Sequence, residues 1–398
     1  MRIVVVNNFF PPRVGGSSHL SDALARGYAA RGHEVLVVTA AYGEAPAEEE
    51  RDGIRIVRMP SVALPETRFA VSFDISFATR PGLPKALAAV LDDFRPDVIH
   101  QHGQFFDLTW ATGLYARKRR VPALLSVHTR LENPAALYHG VFRTLDATMV
   151  APVLRRYRPR IVVMDVLMDE YIKDRYKGGY SGLEYIPVGV DPAWTSGGDA
   201  SAARQDLSVG EDTPLVLSVG HVIPLRDRLA LVAAMPQVLE EFPDAVLAVV
   251  GRVYYDRFEQ LATQLGIRDH VISVGAVPKA RVPDYLAAAH VESHEQGIGL
   301  GTATLEAMAA GLPVVAPARA DNFPTVPLRD REHLFLTPQG DSAAMATAIR
   351  EALRDPARAR EIGARASAVV HESFSLEHVL DPHLHVLAEM SGEPATAR

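Results

Sequence analysis

Cysteine is absent from all 398 residues. That excludes disulfides, thiolate metal sites and a cysteine nucleophile. No apolar run reaches the roughly 18 residues a membrane span requires. The opening, MRIVVVNNFF, has one early arginine and a short apolar run that ends before Pro11-Pro12, so it reads as a first strand and not as a signal peptide. A cytoplasmic location is the expectation. Excess positive charge is also missing. The 41 Lys and Arg against 48 Asp and Glu give a net charge of −7, which argues against a nucleic-acid binder. There is no Walker phosphate loop, no H-E-x-x-H zinc motif, and no carboxylate pair fixed at glycosidase separation.

What is present is ordinary in amount. Apolar residues make up 48% and charged residues 22%, and the length suffices for two domains with their own cores. Arg2–Asn7 reads as a buried parallel strand, Ser17–Arg31 as an amphipathic helix stopped by Gly32, and Glu34–Thr39 as a second strand. That order implies a doubly wound α/β sheet. The charge run Glu48–Asp52 reads as a solvated turn before a strand Ile54–Arg58. Ser61–Pro84 reads as a long loop or short helices, its Phe69, Phe73 and Phe77 packing a core or lining an acceptor site.

Asp97–His102 and Ala123–His128 read as strands that end on histidines. Binding groups of open α/β sheets gather at the carboxyl ends of strands, so His100, His102 and His128 are candidates, beside the plainer reading of structural histidines. Arg155, Arg156, Arg158 and Arg160 in RRYRPR read as a solvated helix end, with a weak contact to a membrane surface or a phosphate as the alternative. A strand Ile161–Met164 and a helix from Leu167 to Tyr176 follow. The Gly-, Ser- and Ala-rich run to Ala203 looks like a linker. Then the pattern restarts, with strands at Leu215–Val219, Ala245–Val250, Val271–Val274 and Val314–Ala316. Helices are expected at Leu229–Phe242, Arg257–Gly266, Val282–Ala289, Ser342–Leu353 and Leu376–Met390, which makes a second Rossmann-like unit and a terminal helix.

Two glycine stretches carry chemistry. Gly15-Gly16 before Ser17-Ser18 is a flexible turn into a helix cap. Gly297–Gly311, GIGLGTATLEAMAAG, is a glycine-spaced turn running into a helix that bears Thr302, Thr304 and Glu306. Glycines let a backbone approach a ligand, free N–H groups at a helix start suit an anion, and a carboxylate one turn inside can accept hydrogen bonds from vicinal hydroxyls. A merely solvated Glu306 is the alternative.

Together with SVGHVIPLRDR (Ser218–Arg228) and YIPVGVDPAW (Tyr185–Trp194), these stretches resemble the retaining GT-B glycosyltransferases, glycosyltransferase family 4 in particular, over nearly the whole chain. The resemblance implies two Rossmann-like domains facing a central cleft. Residues 1–190 would bind the acceptor, 191–375 the nucleotide-sugar, and 376–398 would return as a helix to the first domain. It further implies that Glu306 holds the nucleotide ribose, that Gly299, Leu300 and Gly301 form the donor turn ahead of Thr302, and that His221 and Arg226 face the diphosphate. Gly15 and Gly16 would lie beside the diphosphate and the transferred sugar, and His128 would be the site histidine. Ile298 stands where the family has a first Glu, eight positions before Glu306. Glu295, on a loop with slack, is the expected substitute, with Glu292 beside it. The implied reaction moves a sugar from a nucleotide diphosphate-sugar to a hydroxyl of a small-molecule or glycan acceptor, without a metal and with no cofactor beyond the donor. A non-catalytic homologue that binds a nucleotide or a partner protein is the alternative, because Ile298, His221 and Val188 depart from the family pattern. The Ala- and Arg-rich composition suggests a high-GC bacterial source.

Overall fold

The computed structural model describes residues 1–13, 15–63, 76–133, 135–293 and 299–392. The chain forms two compact units, one of Met1–Gly189 with the segment from Leu376 onward, the other of Val190–Ser375.

The sheet of the first unit runs, in spatial order, Gly182–Tyr185, Arg160–Val163, Ala123–Ser126, Val98–His102, Arg2–Asn7, Glu34–Ala40, Ile54–Met59, Glu48–Arg51. All neighbours are parallel except the last pair. Parallel strands are covered on both faces and so read as continuous apolar runs. In the first strand Ile3 and Val5 face one core with Val379 and Leu387 of the terminal helix, while Val4 and Val6 face another with Leu87 and Leu91. The terminal helix Leu376–Ser391 packs on Gly16–Ala30 so closely that a Cβ at Gly27 would lie 2.7 Å from Leu380 Cδ2.

Glu48–Arg51 is an edge strand and not the expected turn. Arg58, buried on the neighbouring strand, holds Glu49 at 2.8 Å, and Arg55 approaches Glu48 at 3.6 Å. Charge on an edge strand also blocks further pairing. Phe77 lies in the short strand Ser76–Phe77, whereas Phe69 and Phe73 fall outside the described residues. The helix Asp107–Arg119 was not expected, because among its buried residues, Asp107, Leu108, Thr109, Thr112, Gly113 and Ala116, Leu108 is the one large apolar side chain and no apolar period shows. The helices Leu83–Phe94, Ala136–Leu145 and Pro356–Ser373 add to it.

The sheet of the second unit is wholly parallel, ordered Val271–Gly275, Val246–Val250, Leu215–Val219, Val291–Ser293, Val314–Ala316, Phe335–Leu336. The expected linker is helical here. Pro192–Thr195 and Ala200–Leu207 are both capped by aspartates, Asp191 and Asp199. Ala203 and Leu207 are buried, so the small residues serve packing.

Candidate active site

In each sheet the strand order reverses beside the first strand of the unit, and the crevice at the carboxyl ends there is where such sheets bind ligands. In the second unit, Gly220, Gly251 and Gly275 stand at three adjacent strand ends with φ of 129°, 148° and 80°. Gly220 N–H donates to Val250 O and Gly251 N–H to Gly275 O, each at 2.8 Å. A Cβ at Gly251 would lie 2.3 Å from Gly220 O, so no larger residue fits.

Cations crowd this floor. Arg226 is half-buried after a turn closed by its N–H on Ile223 O, and its guanidinium has no hydrogen-bond or ion-pair partner among the described residues. Burial pulls its pKa down. His221 Nδ1 accepts from the Arg252 N–H at 3.2 Å, which leaves the proton of the neutral ring on Nε2. Burial, then Arg226, Arg252 and Arg228, hold the His221 pKa below its ordinary value. With its pKa lowered and Nδ1 accepting, His221 offers an Nε2–H donor near pH 7. Arg228, wholly buried at φ 62°, donates to Ser218 Oγ at 2.7 Å and to the carbonyls of Arg226 and Gly220 at 2.7 and 3.0 Å. It fixes the Arg226 turn to its strand. The pattern LRDR gave no sign of this role.

Gly299, Leu300 and Gly301 lead into the helix Thr302–Ala309, whose N-terminus has no side-chain cap. Leu300 is buried, and Gly311, at φ 75°, ends the helix region. Glu306 is half-buried one turn inside. Burial pushes its carboxyl pKa up to about 7, with Lys279 opposing. The Lys279 ammonium lies 4.4 Å over the Trp194 ring, so Trp194, Lys279 and Glu306 form one cluster that motif spacing could not reveal. Glu292 belongs to the strand Val291–Ser293 and is fully buried, not in the loop expected for a sugar-reading carboxylate. Glu295 and Ile298 lie outside the described residues.

In the first unit Asn7 pairs in register with His102. Asn7 Nδ2 donates to Ser17 O, Ser17 Oγ and Ser21 Oγ at 2.9–3.1 Å and so shapes the glycine turn. Gly16 opens the helix Gly16–Ala30, and a Cβ at Gly15 or Gly16 would meet no atom of the described residues within 4 Å. Beyond Asn7 runs a stack of histidines. His102 Nδ1 and His128 Nε2 are 2.9 Å apart with rings nearly parallel. His100 lies 4.3 Å from His102 and 5.3 Å from His383 between ring centroids. His100 also bonds Tyr28 Oη at 3.0 Å and Ser126 Oγ at 2.8 Å. His102 Nε2 is buried without a hydrogen-bond partner among the described residues. Burial drives all four pKa values down, those of His128 and His383 to about 4. The stack is therefore neutral near pH 7. The backbone past His128 is pinned by Leu131 N–H on Tyr171 Oη, whose hydroxyl donates to buried Asp146 at 2.6 Å.

Two doubly wound units with ligand-suited strand ends define an enzyme of the GT-B architecture. A family model for glycosyl transferases group 1 matches residues 199–369, and a glycosyl transferase 4-like domain model matches residues 15–189. The D-inositol 3-phosphate glycosyltransferase of Acidothermus cellulolyticus is 31% identical over 319 residues, spanning 74% of this chain and 68% of that protein. The GDP-mannose-dependent alpha-(1-6)-phosphatidylinositol monomannoside mannosyltransferase of Mycolicibacterium smegmatis is 28% identical over 389 residues, 91% of each chain. Among solved structures, sucrose-phosphate synthase from Thermosynechococcus elongatus superposes with a TM-score of 0.77 at 23% identity, covering 98% of this chain and 99% of that one. The chain belongs to the group 1 glycosyltransferases, a family of GT-B fold.

Proposed function

We propose that the chain is a retaining glycosyltransferase of the cytoplasm that moves a sugar from a nucleotide diphosphate-sugar to a hydroxyl of a small-molecule or glycan acceptor, without a metal. One observation carries the reading: the Arg226 guanidinium stands without a counter-ion among the described residues, beside His221, Arg228 and Arg252 and near a glycine floor. A half-buried cation lacking an acid is partly desolvated without compensation until an anion arrives, and a diphosphate is such an anion. In the reaction the bond from the anomeric carbon to the diphosphate oxygen breaks, and a bond to the acceptor oxygen forms on the same face. The acceptor proton leaves with the diphosphate. Arg226 and the Nε2–H of His221 stabilise the charge that develops on the leaving oxygens.

Glu306 receives the ribose hydroxyls, the turn Gly299-Leu300-Gly301 and the helix start at Thr302 meet the phosphates and sugar, and Glu295 reads the donor sugar. Gly15, Gly16 and neutral His128 serve the sugar and the acceptor as hydrogen-bonding groups. The relatives' names make GDP-mannose the first donor to try. The test is release of nucleoside diphosphate from a donor panel in the presence of inositol phosphates, lipids and glycans, with the product's anomeric configuration read by NMR. Acceptor-dependent release with retention is expected. Tight nucleotide binding with no release under any pairing would instead favour a non-catalytic homologue, and an inverted product would overturn the retaining mechanism.

A further inference from the structure

The histidines at the strand ends of the first unit lie in a row whose protons can be located. Val98–His102, Ala123–Ser126 and Arg160–Val163 are adjacent parallel strands, with His102 in register with Ser126 and Ser126 with Val162. His102 closes the first of them, His128 stands just past the end of the second, and Met164 follows the third. Across this row His102 Nδ1 meets His128 Nε2 at 2.9 Å, and His128 Nδ1 meets Met164 Sδ at 3.4 Å. His102 is wholly buried, whereas His128 and Met164 are each partly exposed.

A neutral imidazole has one N–H and one lone pair, so the bond between two such rings holds a single proton and admits two arrangements. In one, His128 donates from Nε2. Its Nδ1 lone pair then faces a thioether sulfur, which has no hydrogen to give. The proton of His102 lies on Nε2, as a buried N–H with no hydrogen-bond partner among the described residues. In the other arrangement His102 donates from Nδ1. His128 then holds its proton on Nδ1, where the sulfur is a weak acceptor, and His102 Nε2 keeps only a lone pair in the interior. Buried N–H groups without an acceptor are rarer than buried acceptors without a donor. Both ends of the row therefore select the second arrangement. A doubly protonated His102 would also donate to His128, but burial, then His100, His128 and His383, hold its pKa well below the ordinary value and keep the ring neutral.

We propose that His102 is a positioning residue that fixes His128 as an Nδ1–H donor for a hydroxyl of the transferred sugar, a stronger acceptor than the sulfur of Met164. Which nitrogen of an imidazole carries its proton is set by the hydrogen bond that the other makes, and here His102 makes it. The N–H can pass from sulfur to a hydroxyl oxygen while the bond to His102 keeps the ring in place. The sugar's part in this rests on the reading of the chain as a glycosyltransferase.

NMR of the full chain, isotope-labelled at the histidine ring nitrogens and with His128→Gln to assign the signals, reads the tautomer directly. Wild-type His128 should show a protonated Nδ1 and a bare Nε2 near pH 7. His102→Leu should move that proton toward Nε2. His102→Asn, whose amide N–H stands near the place of the Nδ1–H, should keep it on Nδ1. With a nucleotide-sugar and acceptor that the wild type turns over, His102→Leu should lower kcat/KM for the donor roughly 3- to 10-fold, the worth of one neutral hydrogen bond. His102→Asn should restore most of the loss. Affinity for the nucleoside diphosphate alone, which has no sugar, should be the same in all three proteins. A wild-type His128 protonated on Nε2 overturns the proposal, as does a His102→Leu variant with the wild-type tautomer or the wild-type kcat/KM. Equal losses in His102→Leu and His102→Asn would mean that the ring only packs, and overturn it too. Should His102→Leu fail to fold, the wild-type spectrum decides alone. A proton found on Nδ1 in a chain that turns over no donor would count against the enzymatic reading and leave the hold of His102 on His128 standing.

Discussion

At the same topological position, the two units carry opposite kinds of polar group. The second unit sets Arg226, Arg228, Arg252 and solvent-exposed His221 around a glycine floor. The first packs His128, His102, His100 and His383 against one another, buried and neutral. The polar groups at the strand ends are cationic in the second unit and neutral in the first. A shared architecture therefore does not set the chemistry of its crevice. The side chains around the strand ends do, and here they make one crevice cationic and the other neutral.

The largest expected effect is on stability against pH, with opposite signs in the two units. His128 and His383 fall from 6.5 to about 4 on folding. The unfolded chain then binds more protons between those values, so the first unit loses stability as pH falls from about 6.5 to about 4, by a few kcal/mol. Glu306 moves the other way, from 4.5 up to about 7. Its folded form holds the proton more tightly, so this residue's contribution is full below about 4.5 and is lost as pH rises through about 7, by roughly 3 kcal/mol. Hydrogen exchange resolved by unit between pH 5 and pH 8 should show both slopes. Glu306→Gln should flatten only that of the second unit, and parallel slopes in the two units would break the contrast.

Next in size are two substitutions at the proposed donor site. Arg226→Ala should lower turnover roughly 10²- to 10³-fold, about 3–4 kcal/mol, with little change in acceptor KM, because it removes charge stabilisation on the leaving group. Loss confined to acceptor KM would remove Arg226 from the diphosphate. Glu306→Ala should weaken nucleotide affinity by about 10- to 150-fold, since a hydrogen bond to a carboxylate contributes about 1.5–3 kcal/mol. Nucleotide binding favours the ionised carboxylate, so wild-type affinity should rise as pH climbs through about 7. Calorimetric titration across that range should find no such rise in Glu306→Gln.

The doubly wound architecture was legible because its strands are covered on both faces. Leu215–Val219 and Val314–Ala316 were read with their observed ends, and Arg2–Asn7 likewise. Glu48–Arg51 was not, because its partners Arg55 and Arg58 make it a strand only through a neighbour. Nor was Asp107–Arg119, whose buried residues are polar or small apart from Leu108. The glycine turn and the helix after it that bears Glu306 were legible along the chain. The Arg228 anchor, the Trp194–Lys279–Glu306 cluster and the His102–His128 bond could not, because each joins segments that only tertiary folding brings together.

The smallest expected effect lies at His221, and it sharpens the contrast most directly. The ring is a histidine in the crevice of cations, and its three guanidinium neighbours with burial lower its pKa. It should gain its proton only below the ordinary 6.5. Were the charged ring to assist departure of the diphosphate, turnover would decline as pH rises through that lowered value and then level off. The neutral ring above it still offers its Nε2–H, because Nδ1 is committed to the Arg252 N–H. The decline should accordingly be shallow, roughly threefold, in line with the 0.2–1 kcal/mol of a solvent-screened charge. His221→Arg carries its charge at every pH and should erase the decline. His221→Phe should be slower than either at every pH, because it has neither proton nor charge to give. Profiles of the same shape in wild type and His221→Arg would mean that the ring takes no part in meeting the leaving group.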